Sequence, residues 1–209
     1  MSVIKLEHIK KSFGNRVIFD DFNLQIEAGE FLCISGESGK GKSTLLNIMG
    51  ILDTPDYGDV TILGQKNPYF TTKSGKRLLR NEISYIFQNY GLVEDRSVKY
   101  NLEISGEFSR KNKKQDLIEA LNKVGLNESF LQQKIYALSG GEQQRVALAR
   151  LYLKDCSIVL ADEPTGSLDA KNRENIMKIL LDLNKKGITV IVVTHDFEVE
   201  KCASRVIKL

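Results

Sequence analysis

Two kinds of apolar patterning divide this chain. The first is alternation. Val3 to Glu7, Val17 to Ile26 and Gly58 to Leu63 are short segments in which apolar and polar residues take turns, separated by tight Gly, Asp and Asn turns. That pattern predicts an antiparallel β piece. The second is the compact apolar run. Glu30 to Ser35, Ile83 to Phe87, Ser157 to Ala161 and Ile188 to Thr194 have no solvent-facing alternate residue. Strands of this kind are apolar on both faces and belong in a parallel sheet covered by helices. Thr44 to Met49 has helical texture, as does Glu142 to Tyr152. Lys171 to Lys186 places Ile176, Met177, Leu180, Leu181 and Leu183 at helical spacing, with Gly187 as the stop. Between Gln88 and Ser139 the strand signal disappears, and Leu117, Ile118, Leu121 and Val124 mark one helical face ending at Gly125. The predicted architecture is therefore an α/β core with a mostly parallel sheet, an N-terminal antiparallel β portion and an inserted α-helical portion. Residues 1–209 form one domain, with 1–88 and 140–209 as core and 89–139 as the helical insert.

Composition sets limits on this picture. With 209 residues the chain can bury one substantial core. No apolar run approaches the roughly 18–20 residues of a membrane-spanning helix, and Met1 to Glu7 lacks a signal-peptide core. The expected location is the cytosol, with any membrane attachment made through a partner. Cys33, Cys156 and Cys202 are odd in number and far apart, which suits neither a disulfide framework nor a zinc site. A net charge of +3 is too mild to argue for nucleic acid, and none is expected as a partner. The run Arg110-Lys111-Asn112-Lys113-Lys114 reads first as a solvated loop or helix start; contact with anionic lipid headgroups is the sharper alternative. His8 reads as incidental.

Candidate chemistry begins where the first compact run ends, in Gly36-Glu37-Ser38-Gly39-Lys40-Gly41-Lys42-Ser43-Thr44. A strand feeding a glycine-rich turn and then a helix builds an anion hole. Glycines let backbone N–H groups face phosphates, and the helix N-terminus adds partial positive charge. Lys42 is placed to reach the β- and γ-phosphates, the Ser43 hydroxyl to coordinate Mg²⁺, and Thr44 to contact the α-phosphate. Asp162-Glu163 follows the strand ending at Ala161. Acids at the C-terminal end of a buried parallel strand point into the ligand crevice of such sheets. Asp162 is then a direct or outer-sphere Mg²⁺ partner, and Glu163 polarises the water that attacks the γ-phosphate. His195 ends the next strand, which sends it to the same edge, within reach of the γ-phosphate and the water.

Downstream lies Leu138-Ser139-Gly140-Gly141-Glu142-Gln143. Together with the phosphate loop, it makes the chain resemble the nucleotide-binding subunits of ABC transporters over essentially its whole length. The resemblance implies a P-loop NTPase (RecA-like) core that binds ATP with Mg²⁺. It assigns Phe13 to adenine stacking, Gly36 to Thr44 (Ser38, Gly39, Lys40 and Gly41 included) to the Walker A loop, and Gln88 to the Q-loop, touching Mg²⁺ and water. Ser139, Gly140, Gly141 and Glu142 fall in the signature loop, Asp162-Glu163 at the Walker B end, Ser167-Leu168-Asp169 in the D-loop, and His195 at the switch position. The signature loop has its own physical logic. Two glycines expose N–H groups at a second helix start, an anion site that cannot fold back onto the phosphate loop of the same chain. In the family it binds the γ-phosphate held by a second subunit, which implies a head-to-tail ATPase dimer, simplest as a homodimer, driving an integral membrane permease subunit.

Ala161-Asp162-Glu163-Pro164-Thr165-Gly166 resembles the branch containing macrolide exporters, lipoprotein-releasing systems and antimicrobial-peptide transporters. Export or extraction of peptide, lipid-like or drug-like substrates is what that implies. The same chemistry would serve a soluble ABC ATPase or a force-transmitting subunit regulating cell-wall enzymes, whereas a P-loop kinase or GTPase is disfavoured by the signature loop and Glu163. Lys40 stands where the branch commonly has serine, Phe13 where tyrosine is usual and Glu142 where glutamine is commoner. Gly91 to Asn101 lacks the proline often found there and carries Tyr100 in place of glutamate.

Overall fold

The computed structural model describes residues 1–105, 113–166 and 170–209. Arg110 to Asn112 of the basic run and the Ser167-Leu168-Asp169 segment, with the candidate Asp169, lie outside the described residues.

The N-terminal half supplies an antiparallel sheet and the start of a parallel one. Strands β1 (Ser2–Phe13) and β2 (Arg16–Glu27) form a long hairpin, followed by β3 (Phe31–Ser35), helix α1 (Lys42–Met49), β4 (Tyr57–Ile62) and β5 (Gln65–Lys66). Helix α2 (Lys73–Asn81), β6 (Ile83–Ile86), α3 (Val98–Glu103) and α4 (Lys113–Lys123) come next. Then come α5 (Gly140–Ala149), β7 (Ile158–Asp162), α6 (Ala170–Lys185), β8 (Thr189–Val193), α7 (Phe197–Cys202) and β9 (Arg205–Lys208). The antiparallel sheet runs β2-β1-β4-β5; the other sheet runs β6-β7-β8-β3-β9, and its strand pairs are parallel.

The continuous apolar runs are explained by two cores, one on each face of the parallel sheet. Phe31 and Cys33 of β3, with Val190 and Val192 of β8, pack with Leu117, Val146 and Leu180 from the helices. The alternate residues Leu32, Ile34, Ile191 and Val193 face the other way, onto Leu45, Leu46 and Met49 of α1 and Ile4, Leu6 and Ile62 of the antiparallel sheet. Every residue of β3 and β8 is buried, which is why neither strand alternates.

Four elements escape the apolar pattern. Strand β9 is short and largely exposed, yet it flanks β3, so the strand feeding the phosphate loop is internal to its sheet. Helix α2 is mostly polar and contains Gly75, where a Cβ would lie 1.9 Å from the Tyr69 carbonyl oxygen. Strand β5 has two residues and α7 six. The thiols are free: Cys33 and Cys156 are buried and Cys202 exposed, with burial pushing Cys33 up to about 12.

A buried polar brace ties the segment after Gln88 to α5. Asn101 is fully buried. Its Oδ1 accepts from the Val93 N–H at 2.7 Å, and its Nδ2 donates to the Val93 and Ser97 carbonyls, each at 3.0 Å. Arg150, just past α5, donates to the Asn101 side chain at 3.1 Å, to its carbonyl at 3.1 Å and to Gly91 O at 2.7 Å. Desolvation lowers the Arg150 pKa to about 10. Buried amides left without partners cost their full desolvation penalty. Asn101→Ala should therefore lower stability by roughly 2–4 kcal/mol in chemical denaturation, and a loss under about 0.5 kcal/mol, the range of an ordinary surface substitution, would show the brace to be redundant.

Candidate functional site

Among the α-helices whose starts are described, α1 begins differently from the rest. Helices α2, α3, α5 and α7 start on a side chain that accepts a backbone N–H: Thr72, Ser97, Ser139 and Asp196. The N-cap of α1 is Gly41, in the left-handed region at φ 94°, with no side-chain cap and no acid in the first turn. Its first N–H groups are thus left for an anion. Gly36 and Gly39 also have positive φ. A Cβ at Gly41 would sit 2.3 Å from Ile18 Cγ2, so only glycine fits there. Lys42 is buried, and its ammonium donates to the carbonyls of Gly36 and Glu37, each at 2.9 Å.

The acids come from the end of β7. The Ser43 hydroxyl donates to Asp162 Oδ1 at 3.1 Å, joining the helix start to that strand. Burial raises the Asp162 pKa, an effect the Ser43 hydrogen bond and Lys42 oppose. Glu163 sits at φ 46°, an uncommon conformation for a side chain of its size. Its N–H donates to the Val193 carbonyl at 2.9 Å, and both carboxylate oxygens have partners on the end of β8. Thr194 Oγ1 donates to Oε2 at 3.1 Å, and His195 Nδ1 donates to Oε1 at 2.9 Å. An ionised carboxylate only accepts, so this bond assigns the proton to Nδ1. The imidazole is itself exposed while Glu163 is largely covered.

These groups share an open cleft of about 720 Å³ lined by Phe13, Gly36, Ser38, Gly39, Gly41, Lys42, Ser43, Thr44, Gln88, Glu163 and His195. Candidates from several separate stretches of sequence thus meet here; Asp162 is not among the lining residues and is joined to them through Ser43. Lys40 does not line the cleft; its ammonium lies 4.0 Å from the Glu37 carboxylate. Arg16 does line it, and its Nη2 donates to the Gly39 carbonyl at 2.6 Å, a contact the sequence reading missed. The only available signal was its place across the tight turn from Phe13, with which it pairs in the hairpin. Thr194 was missed too, hidden as the last residue of an apolar run.

The donor set of hydroxyl and carboxylate oxygens suits a hard cation. Among the described residues no cluster of three or more His, Cys, Asp or Glu could hold a metal alone. Mg²⁺ is such a hard cation: it takes one or two protein oxygens, as Ser43 and Asp162 could supply, and completes its shell with water and phosphate oxygens.

Ser139, Gly140, Gly141 and Glu142 lie outside this cleft, at the start of α5. Glu142 Oε2 accepts from the Ser139 N–H at 2.8 Å and from its hydroxyl at 2.7 Å, while the Ser139 hydroxyl oxygen accepts from the Glu142 N–H at 3.4 Å. These bonds from Ser139 lower the Glu142 pKa. A Cβ at Gly140 would meet nothing within 4 Å, so the loop faces open space. From the same helix, buried Gln144 donates to the Pro164 carbonyl at 2.8 Å and so ties α5 to the stretch following Glu163.

The family model described as "ABC transporter" matches residues 19–166. The chain is 41% identical to the macrolide export ATP-binding/permease protein MacB of Escherichia coli, with 99% of this chain aligned to 33% of that protein. It thus spans about a third of the length of the macrolide exporters it matches. It is 39% identical to the uncharacterized ABC transporter ATP-binding protein MJ0796 of Methanocaldococcus jannaschii, covering 99% of this chain and 93% of that one. A dimeric, post-hydrolysis structure of that ATP-binding cassette, bound to ADP and Pi, superposes with a TM-score of 0.89, at 38% identity over 99% of this chain and 94% of the other. With its uncapped helix, its α/β P-loop fold and this similarity over its full length, the chain belongs to the ABC transporter family, as an ATP-binding cassette.

Proposed function

We propose that this chain hydrolyses ATP and, as a head-to-tail dimer, drives an integral membrane permease. The observation that carries the reading is the Glu163–His195 pair facing the Lys42-lined cleft. Phe13 stacks on the adenine. The loop amides, Lys42 and Thr44 hold the phosphates, and the Lys42 charge answers the charge on the β- and γ-oxygens. When bound, Mg²⁺ supplies charge neutralisation on the phosphates, with Ser43, Asp162 and Gln88 as its holders. Glu163 accepts a hydrogen bond from the attacking water, and its fixed carboxylate, braced by Thr194 and His195, orients that water in line. His195, with its Nδ1–H on Glu163, can also donate from Nε2–H to the γ-phosphate in its imidazolium form, in which both ring nitrogens are donors.

The Ser139 loop completes a second chain's site. Its N–H groups and hydroxyl receive the γ-phosphate held by the partner's loop, so one chain alone binds ATP but turns it over poorly. Asp169 lies at this interface on the same reading. The permease docks in a groove of about 530 Å³ whose lining includes Leu52, Tyr85, Phe87 and Ile104. Leu52 and Ile104 are exposed apolar residues, which suits contact with a protein segment. Division into a 1–88 and 140–209 core with an 89–139 helical unit puts this groove at the junction. Among the described residues no helix is long and apolar enough to cross a membrane. Membership of the ABC transporter family supports work at the cytoplasmic face of the membrane, with the permease holding the cassette there. The relatives named for macrolide export support export of drug-like substrates; lipid-like or peptide substrates rest only on the Ala161 to Gly166 resemblance.

Two substitutions test the reading. Glu163→Gln should retain ATP binding, cut turnover by about 10²-fold or more, and accumulate an ATP-dependent dimer on size-exclusion chromatography; wild-type turnover would remove Glu163 from its role. Ser139→Arg should abolish hydrolysis while the isolated chain still binds ATP in calorimetry, and loss of that binding would contradict the two-chain site.

A further inference from the structure

The aromatic platform of the cleft is held from behind by a cation. Lys11, two residues before Phe13, is a lysine only 7% exposed, whereas the Phe13 ring is 54% exposed. The Lys11 ammonium donates to Asp53 Oδ1 at 2.8 Å and to the Thr54 carbonyl at 2.7 Å, and it stands 5.1 Å from the Phe13 ring centroid. That is within the range of a cation–π contact. Its charge is thus held in place by a carboxylate and a carbonyl on one side and an aromatic face on the other.

Asp53 and Thr54 belong to the chain leaving α1, the helix that begins with Lys42 and Ser43 of the phosphate loop. The same stretch grips β1 twice more. The Asp56 N–H donates to the Lys10 carbonyl at 2.8 Å, and the Ser12 N–H donates to Asp56 Oδ2 at 2.7 Å. Four hydrogen bonds therefore tie residues 10–12, immediately before the aromatic, to residues 53–56, immediately after the phosphate-loop helix. Phe13 has no hydroxyl with which to anchor itself, so its orientation depends on its backbone and on the cation beneath it.

We propose that Lys11 and Asp53 are a positioning pair that fixes the Phe13 ring relative to the phosphate loop, so that base stacking and phosphate capture occur at one set distance. The inference rests on the reading of Phe13 as the adenine platform. Lys11 acts through Phe13 and does not touch the nucleotide. The pair should therefore govern the part of the affinity that depends on the base and leave the part that depends on phosphates unchanged.

The experiment measures binding of two probes to the full chain by calorimetry, ATP and inorganic tripolyphosphate, each with Mg²⁺. Phe13→Ala serves as the reference and should weaken ATP binding by roughly 5- to 20-fold, the lower part of the range for a lost base–aromatic stack, without changing tripolyphosphate binding. Lys11→Met and Asp53→Asn should each reproduce that pattern at about 3- to 10-fold, within what a lost cation–π contact allows. Asp53→Asn keeps the Lys11 bond to Thr54, so it serves if Lys11→Met does not fold. Equal losses for both probes would reduce the pair to general structural support, and undiminished ATP binding would remove it from the site; either result overturns the proposal. If Phe13→Ala itself left ATP binding intact, the adenine-platform reading would fall first. The chain contains no tryptophan, so Phe13→Trp reports on this position alone. In that background Lys11→Met should shift the emission before nucleotide is added, and an unmoved spectrum would count against any contact between cation and ring.

Discussion

A buried positive charge with no ion-pair partner among the described residues sets the terms for the rest of this molecule. Lys42 is only 8% exposed, forms no ion pair among the described residues, and satisfies two of its three N–H groups on carbonyls. Its hydrogen bonds go to neutral carbonyls, so an anionic ligand in the cleft would meet an ammonium not already paired at contact distance. The helix it begins is uncapped and carries no acid in its first turn. Acids are present, but at a distance within the sheet: Asp162 and Glu163 end β7, and β8 separates that strand from β3. The end of β8 fills the gap with Thr194 and His195, which hold Glu163 by both oxygens. The site thus keeps cationic and acidic halves apart, with room between them for a group that needs both.

Most of this arrangement is legible because it rests on burial. Strands sealed on both faces have to be apolar throughout, so β3, β6, β7 and β8 announce themselves, and the residue ending each seal is conspicuous. Asp162, Glu163 and His195 stand out for that reason. What escapes is structure made without an apolar signature. Helix α2 is polar with a glycine inside it, β9 is a largely exposed edge strand, and Arg16 reaches Gly39 through a hairpin turn whose geometry no periodicity encodes. Lys40 shows the converse limit. It sits inside the loop by sequence, yet it does not line the cleft.

The two helix starts offered as anion sites are built on opposite plans. At α1 nothing precedes the ligand. At α5 a carboxylate already occupies the position: Glu142 takes the Ser139 N–H and hydroxyl, closing a capping box that stabilises the helix at neutral pH. Because those hydrogen bonds depress the Glu142 pKa, the box persists above the ordinary carboxylate range and is lost as pH falls through its lowered value. If both ends take phosphate as proposed, the second gives up a carboxylate contact that the first does not have. Affinity at the second end is a difference between two similar interactions, and such differences are easily tuned.

The Asn101–Arg150 brace has a mechanical meaning. Hydrogen bonds at 2.7–3.1 Å tie the stretch from Gly91 to Asn101 to Arg150 at the C-terminal end of α5. At the other end of that helix lies Ser139, and midway Gln144 holds the Pro164 carbonyl beside Glu163. The stretch just beyond Gln88 is thus joined through one helix both to the Ser139 capping box and to the Pro164 carbonyl next to Glu163.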